Sequence, residues 1–150
     1  MKLPEKQVLI KWHHEPTVIR LMHDNRWSRE MAELWFTDFM KWLYTSVRYR
    51  EKYHESFAMD GLHYLDDVWH AYILHTKDYF AMSKQLFDVD YIHHSPANPY
   101  NIDGVIGEDI FRQQMMELLD DWGEEYIDRV WKYGADVSDM TSEPQPVYAV

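Results

Sequence analysis

Apolar residues are densest between Arg29 and Tyr53. Met31, Leu34, Trp35, Phe36, Phe39, Met40, Trp42, Leu43 and Val47 leave only a narrow polar stripe, Glu33, Thr37, Lys41, Thr45 and Arg48, at spacings of three and four. A helix apolar over so wide an arc has neighbours on most sides, so this segment reads as the spine of the core. Ser28 suits its N-cap and Glu30 its first turn; the pattern carries it to about Tyr49 or Tyr53. Upstream, Pro16 suits the first turn of a short helix through VIRLM that stops at Asp24 and Asn25. Residues 1–15 read as a lead-in, a short extended arm.

Downstream, residues 50–61 form a polar connector with a turn at Asp60-Gly61. A helix beginning near Leu62 carries LDDVWHAYILH. A bend at His75-Thr76 separates it from a helix capped by Thr76 and running to about Leu86. DVDYIHHSPANPYN is irregular, because two prolines and two asparagines interrupt any long helix. EDIFRQQMMELLDDW restores a helical period between Gly107 and Gly123, and EEYIDRVWKY adds a short helix. From Ala135 the periodicity is lost and a mobile tail is expected. The pattern thus predicts an all-α fold: one bundle of five to six helices over residues 1–134, an irregular His-His-x-Pro loop, and a tail over 135–150.

Composition sharpens this picture. The hydrophobic share of 46% and seven Trp, eleven Tyr and nine Met against five Gly suit helices packed through bulky side chains. The formal charge of −11 argues against a grip on nucleic-acid phosphates. It leaves solubility, cation binding or a basic protein partner. With no cysteine, disulfides, thiolate metal sites and thiol catalysis drop out, and a reducing cytoplasm is the expected compartment. No apolar run approaches the ~20 residues that span a bilayer, and the N-terminal residues lack the apolar stretch of a signal peptide. There is no glycine-rich phosphate loop, GxSxG elbow or HExxH helix.

The chemistry concentrates in the helix after Leu62. Asp66 and His70 fall one turn apart, at the seam between the apolar arc of Leu62, Trp69 and Ile73 and the polar arc of His63, Asp67 and Leu74. A spacing of four brings their Cβ atoms to about 5–6 Å. Three uses are open to such a pair: joint ligation of a divalent metal, zinc or iron; a carboxylate orienting a histidine; or a polar pair that satisfies itself in the core. The tandem His93-His94 extends the first. In an extended segment the two rings point to opposite sides, so one of them can join Asp66 and His70 in a three-ligand set with open coordination positions. Trp69, Tyr72 and Tyr91 are candidate pocket walls; Tyr64 and Tyr79 also sit where they could line it. His13, His14 and His54 read as surface residues, His63 as an outer neighbour of the site or a solvated group, and the carboxylates of DDW and GEDI as solvated.

Asp66-x-x-Trp69-His70-x-x-Ile73-Leu74-x-Thr76-x-x-Tyr79, followed by Phe87 and Tyr91-Ile92-His93-His94-x-Pro96, resembles the bacterial glycine-rich domain-containing protein-like family. EMAELWFTDFMKWLY resembles that family's preceding helix and MMELLDDWGEEYIDRVW its closing segment, so the likeness covers about residues 16–133. It implies a compact, mostly helical domain with a site at Asp66, Trp69, His70 and His94 or His93, and it implies no particular reaction. The chain departs from relatives at Ser83, where Cys is frequent, at Asp88, where Gly is frequent, and at Tyr72, where plant members carry His. Beside this reading stands a second: an acidic interaction protein, of the immunity or counter-defence inhibitor type, that covers a basic partner.

Overall fold

A computed structural model describes residues 1–54, 57, 62–94 and 108–135. The described residues form seven helices and no strand, in the order α1 (Lys6–Ile10), α2 (Glu15–Asp24), α3 (Arg29–Tyr53), α4 (His63–Ile73), α5 (Thr76–Phe87), α6 (Glu108–Trp122) and α7 (Glu124–Ala135). The all-α reading holds, with one or two helices more than the pattern predicted. The connector turn at Asp60-Gly61, the loop beyond His94 and the tail from residue 136 lie outside the described residues.

The central helix is α3, and α1, α2, α4 and α6 all pack on it. The Ser28 hydroxyl accepts from the Met31 amide at 3.1 Å, as its N-cap position requires. His54 ends the helix in the left-handed region, at φ 56°. Trp35, Phe36, Phe39, Met40, Trp42 and Leu43 are buried as expected, but Leu34 is 41% exposed. Three of the polar positions on α3, Asp38, Thr45 and Ser46, are buried instead. Thr45 donates to Asp121 Oδ2 at 2.8 Å and accepts from the Trp122 indole N–H at 2.9 Å. Asp38, fully buried, receives a two-pronged hydrogen bond from Arg129 of α7, at 2.6 and 2.7 Å. A buried carboxylate requires such a partner, and this one lies 91 residues away, where a local pattern carries no trace of it.

The structure corrects three further expectations. Residues 6–10 are a short helix rather than an extended arm, held by the buried Leu9. Position 75, not 76, caps α5, whose first residue is Thr76. In the DDW segment, Asp121 is not solvated: it is 14% exposed and pairs with Arg48 at 2.9 Å, while Glu117 pairs with the same guanidinium at 2.7 Å. The arginine on the polar stripe of α3 draws these carboxylates inward.

Elsewhere local chemistry and structure agree. Gly123, at φ 93°, separates α6 from α7 in a conformation that favours glycine. Asp88 ends α5 at φ 55°, also left-handed. A Gly there would meet no steric cost.

Burial of the Tyr72, Tyr79 and Tyr126 phenols predicts an alkaline limit for the fold. Burial raises the Tyr72 phenol to about 12, and raises those of Tyr79 and Tyr126 as well. In the unfolded chain a tyrosine ionises near 10. Between these values the folded state holds protons that the unfolded state has released, so stability is complete below pH ~10 and falls as pH rises beyond it. Denaturant melts from pH 8 to 11.5, with phenolate absorbance followed in parallel, should lose stability over that interval. Ionisation of all eleven tyrosines near pH 10 while the fold is retained would contradict this.

Candidate metal centre

Helix α4 runs along α3 with its Trp69 side inward. Trp69 packs against Phe39 and Trp42, at ring-centroid distances of 5.7 and 5.2 Å. One residue on, His70 is 56% exposed at its side chain, and Asp66 is 35% exposed. The apolar–polar seam therefore lies at the surface, where a small ligand can reach it.

The segment after α5 completes the cluster. Along residues 91–94 burial alternates: Tyr91 is exposed, Ile92 buried, His93 exposed and His94 largely covered. This is the period of an extended chain. It turns Ile92 into the core and stacks the His94 ring on Trp69, 4.0 Å between centroids and 19° between planes. His94 Nε2 then lies 2.9 Å from His70 Nε2 and 3.0 Å from Asp66 Oδ1. The remaining edge, His70 Nε2 to Asp66 Oδ1, is 3.5 Å.

This triangle has the size of a ligand face. Ligand atoms about 2.0–2.2 Å from a metal stand roughly 2.8–3.1 Å apart at octahedral angles and 3.3–3.6 Å apart at tetrahedral ones. A point about 2.1 Å from all three atoms exists, about 1 Å off their plane. The group could hold a metal ion, and it is the one such group of three or more among the described residues. Without an ion, both short contacts fall on one atom, His94 Nε2, whose single proton can be donated to Asp66 Oδ1 or to His70 Nε2, so hydrogen bonding satisfies the cluster only in part.

Burial raises the Asp66 carboxyl, but the hydrogen bond from His94 and the nearby His70, His94 and His63 outweigh it, and the net shift is downward. Asp66 is thus held as a carboxylate, the form that ligates. His63 acts on it as an outer neighbour and is itself exposed.

The other sequence candidates fall elsewhere. His93 points away from the cluster, because adjacent residues of an extended segment cannot share a side. Tyr91 is 56% exposed and packs on Phe80, not on the site. Tyr72 is buried on another side of α4, where its hydroxyl accepts from the Trp12 indole N–H at 3.1 Å. Only Trp69 of the three proposed walls touches the cluster.

His14 is not the surface residue its sequence context suggested. Its Nδ1 accepts from the Thr17 amide and hydroxyl, capping α2, and its Nε2–H donates to Asp78 at 2.8 Å. The Thr–His–Asp order resembles a nucleophile relay. Thr17 is fully buried, however, so the line serves as a clamp between α2 and α5. A cavity of about 180 Å³ between α2 and α4 has His70 on its rim, with Arg20, Asp24 and Asp67 as its charged walls.

Comparison with protein-family models, with curated proteins and with solved structures finds no match. The likeness described above therefore rests on its residues alone. No helix among the described residues is long and apolar enough to cross a membrane.

Proposed function

We propose that the protein binds one divalent metal ion, zinc or iron, through Asp66, His70 and His94. The observation that carries this reading is the convergence of two imidazole nitrogens and a carboxylate oxygen within 3.5 Å of one another. Two nitrogens and one hard oxygen, with no thiolate in the chain, match the preferences of these ions and not those of calcium or magnesium. Three protein ligands leave positions for water or a small ligand, on the side where His70 is exposed. An ion there would polarise whatever occupies those positions. The likeness to the glycine-rich domain-containing protein-like family supports a site at these residues and names no reaction.

Protein purified without a histidine tag and dialysed against metal-free buffer should take up one equivalent of Zn²⁺, measured by elemental analysis. His70→Ala should take up little. Uptake far below one equivalent, unchanged by that substitution, would refute the proposal.

Exposed Asp109, Asp120, Glu124, Glu125 and Asp128 along α6 and α7 favour the second reading, an acidic surface for a basic protein. A partner captured from the native host should then dissociate as salt is raised; capture that also survives charge reversal of these residues would count against it.

A further inference from the structure

Resting on the metal-binding reading, we infer that Tyr79 is the positioning residue of this site, fixing His94 for the ion without touching it. Three contacts carry the inference. The Trp69 indole N–H donates to Tyr79 Oη at 2.8 Å. Tyr79 O–H donates to the Ile92 carbonyl at 2.7 Å. The Trp69 ring stacks on His94. A single phenol thus holds both the ring beneath the imidazole and the backbone two residues before it.

The relay matters because nothing regular holds residues 91–94. They belong to no helix and no strand, so their register depends on individual contacts. Ile92 is the inward anchor of the alternation that brings His94 to the cluster and sends His93 to solvent. A slip of one residue would exchange the two imidazoles. The Ile92–Tyr79 hydrogen bond is buried and ties this segment to α5. Tyr79 is itself enclosed: it is 2% exposed and packs edge-on against Tyr72 at 5.4 Å. Groups behind metal ligands that fix ring orientation alter affinity by about 10–100-fold when removed.

The test is titration with Co²⁺, followed by its visible ligand-field absorption, on wild type, Tyr79→Phe and Tyr126→Phe. The first substitution deletes only the hydroxyl of the relay. The second deletes an equally buried hydroxyl that donates to the Asp38 carbonyl on the α3–α7 side. It serves as the control for a general loss of stability, and thermal melts in chelator measure that loss for both. We expect Tyr79→Phe to bind Co²⁺ about 10–100-fold more weakly than wild type and Tyr126→Phe to bind it equally well. Wild-type affinity in Tyr79→Phe, or the same weakening in both variants, would overturn the positioning role and leave the metal site standing. Wild type that binds Co²⁺ no better than His70→Ala would remove the site, and the positioning role with it.

Discussion

Replacing His94 by Ala should abolish stoichiometric metal binding while leaving the helical bundle in place. Two effects need to be separated. The imidazole is 13% exposed and stacks on Trp69, so its loss costs packing of roughly 0.5–1.5 kcal/mol. That term is present with or without metal. Linkage supplies the second: an ion at 100 times its dissociation constant stabilises the folded state by about 2.7 kcal/mol. For a chain of this length that corresponds to about 5–10 °C in melting temperature. Wild type should therefore melt lower by that amount when chelator is added, and His94→Ala should be indifferent to chelator. His93→Ala, one residue away but facing solvent, should behave as wild type. If the two histidine variants respond alike, the assignment of the inward ring is wrong.

The largest loss of stability is expected at Arg129→Met. Asp38 is wholly buried, and Arg129 supplies both of its charged hydrogen bonds. Burial already raises the Asp38 carboxyl above its usual range, against the opposing pull of Arg129. Without the guanidinium that opposition disappears, and an uncompensated buried carboxylate costs about 3–5 kcal/mol. The sign of the pH dependence follows. A carboxyl raised further in the folded state binds protons that the unfolded chain has released, so the variant regains stability as pH falls. Urea melts at pH 7 and pH 5 should give a smaller deficit relative to wild type at the lower pH. The double substitution Asp38→Leu with Arg129→Met should recover most of the loss, because both charges are then absent. A deficit under 1 kcal/mol at pH 7 would mean that the pair is not shielded from water as its geometry implies.

These sites differ in how far the sequence reveals them. Asp66 and His70 are legible because they lie one turn apart on a helix whose apolar face is unmistakable. His94 is half legible: the tandem histidine offers two rings, and period two says that only one can turn inward. Choosing between them takes the Ile92 anchor, which depends on a hydroxyl 13 residues away. The same limit hides Asp38 and Arg129. On the pattern alone Asp38 is one more charge on a helix, and its burial is decided by α7 folding back on α3 from 91 residues away. Leu34 fails in the opposite direction, since an apolar arc wider than its neighbours can cover leaves one member exposed. Periodicity located α2 to α7 because each depends on its own residues; α1, only five residues long, is set by what Leu9 packs against.

The central claim is that Asp66, His70 and His94 form one coordination sphere. X-ray absorption at the zinc edge of the one-to-one complex tests it most directly. The account predicts a first shell of nitrogen and oxygen near 2.0–2.1 Å, with the outer-shell scattering of two imidazole rings that falls to one in His94→Ala. A spectrum without imidazole scattering, or one that His94→Ala leaves unchanged, would contradict it.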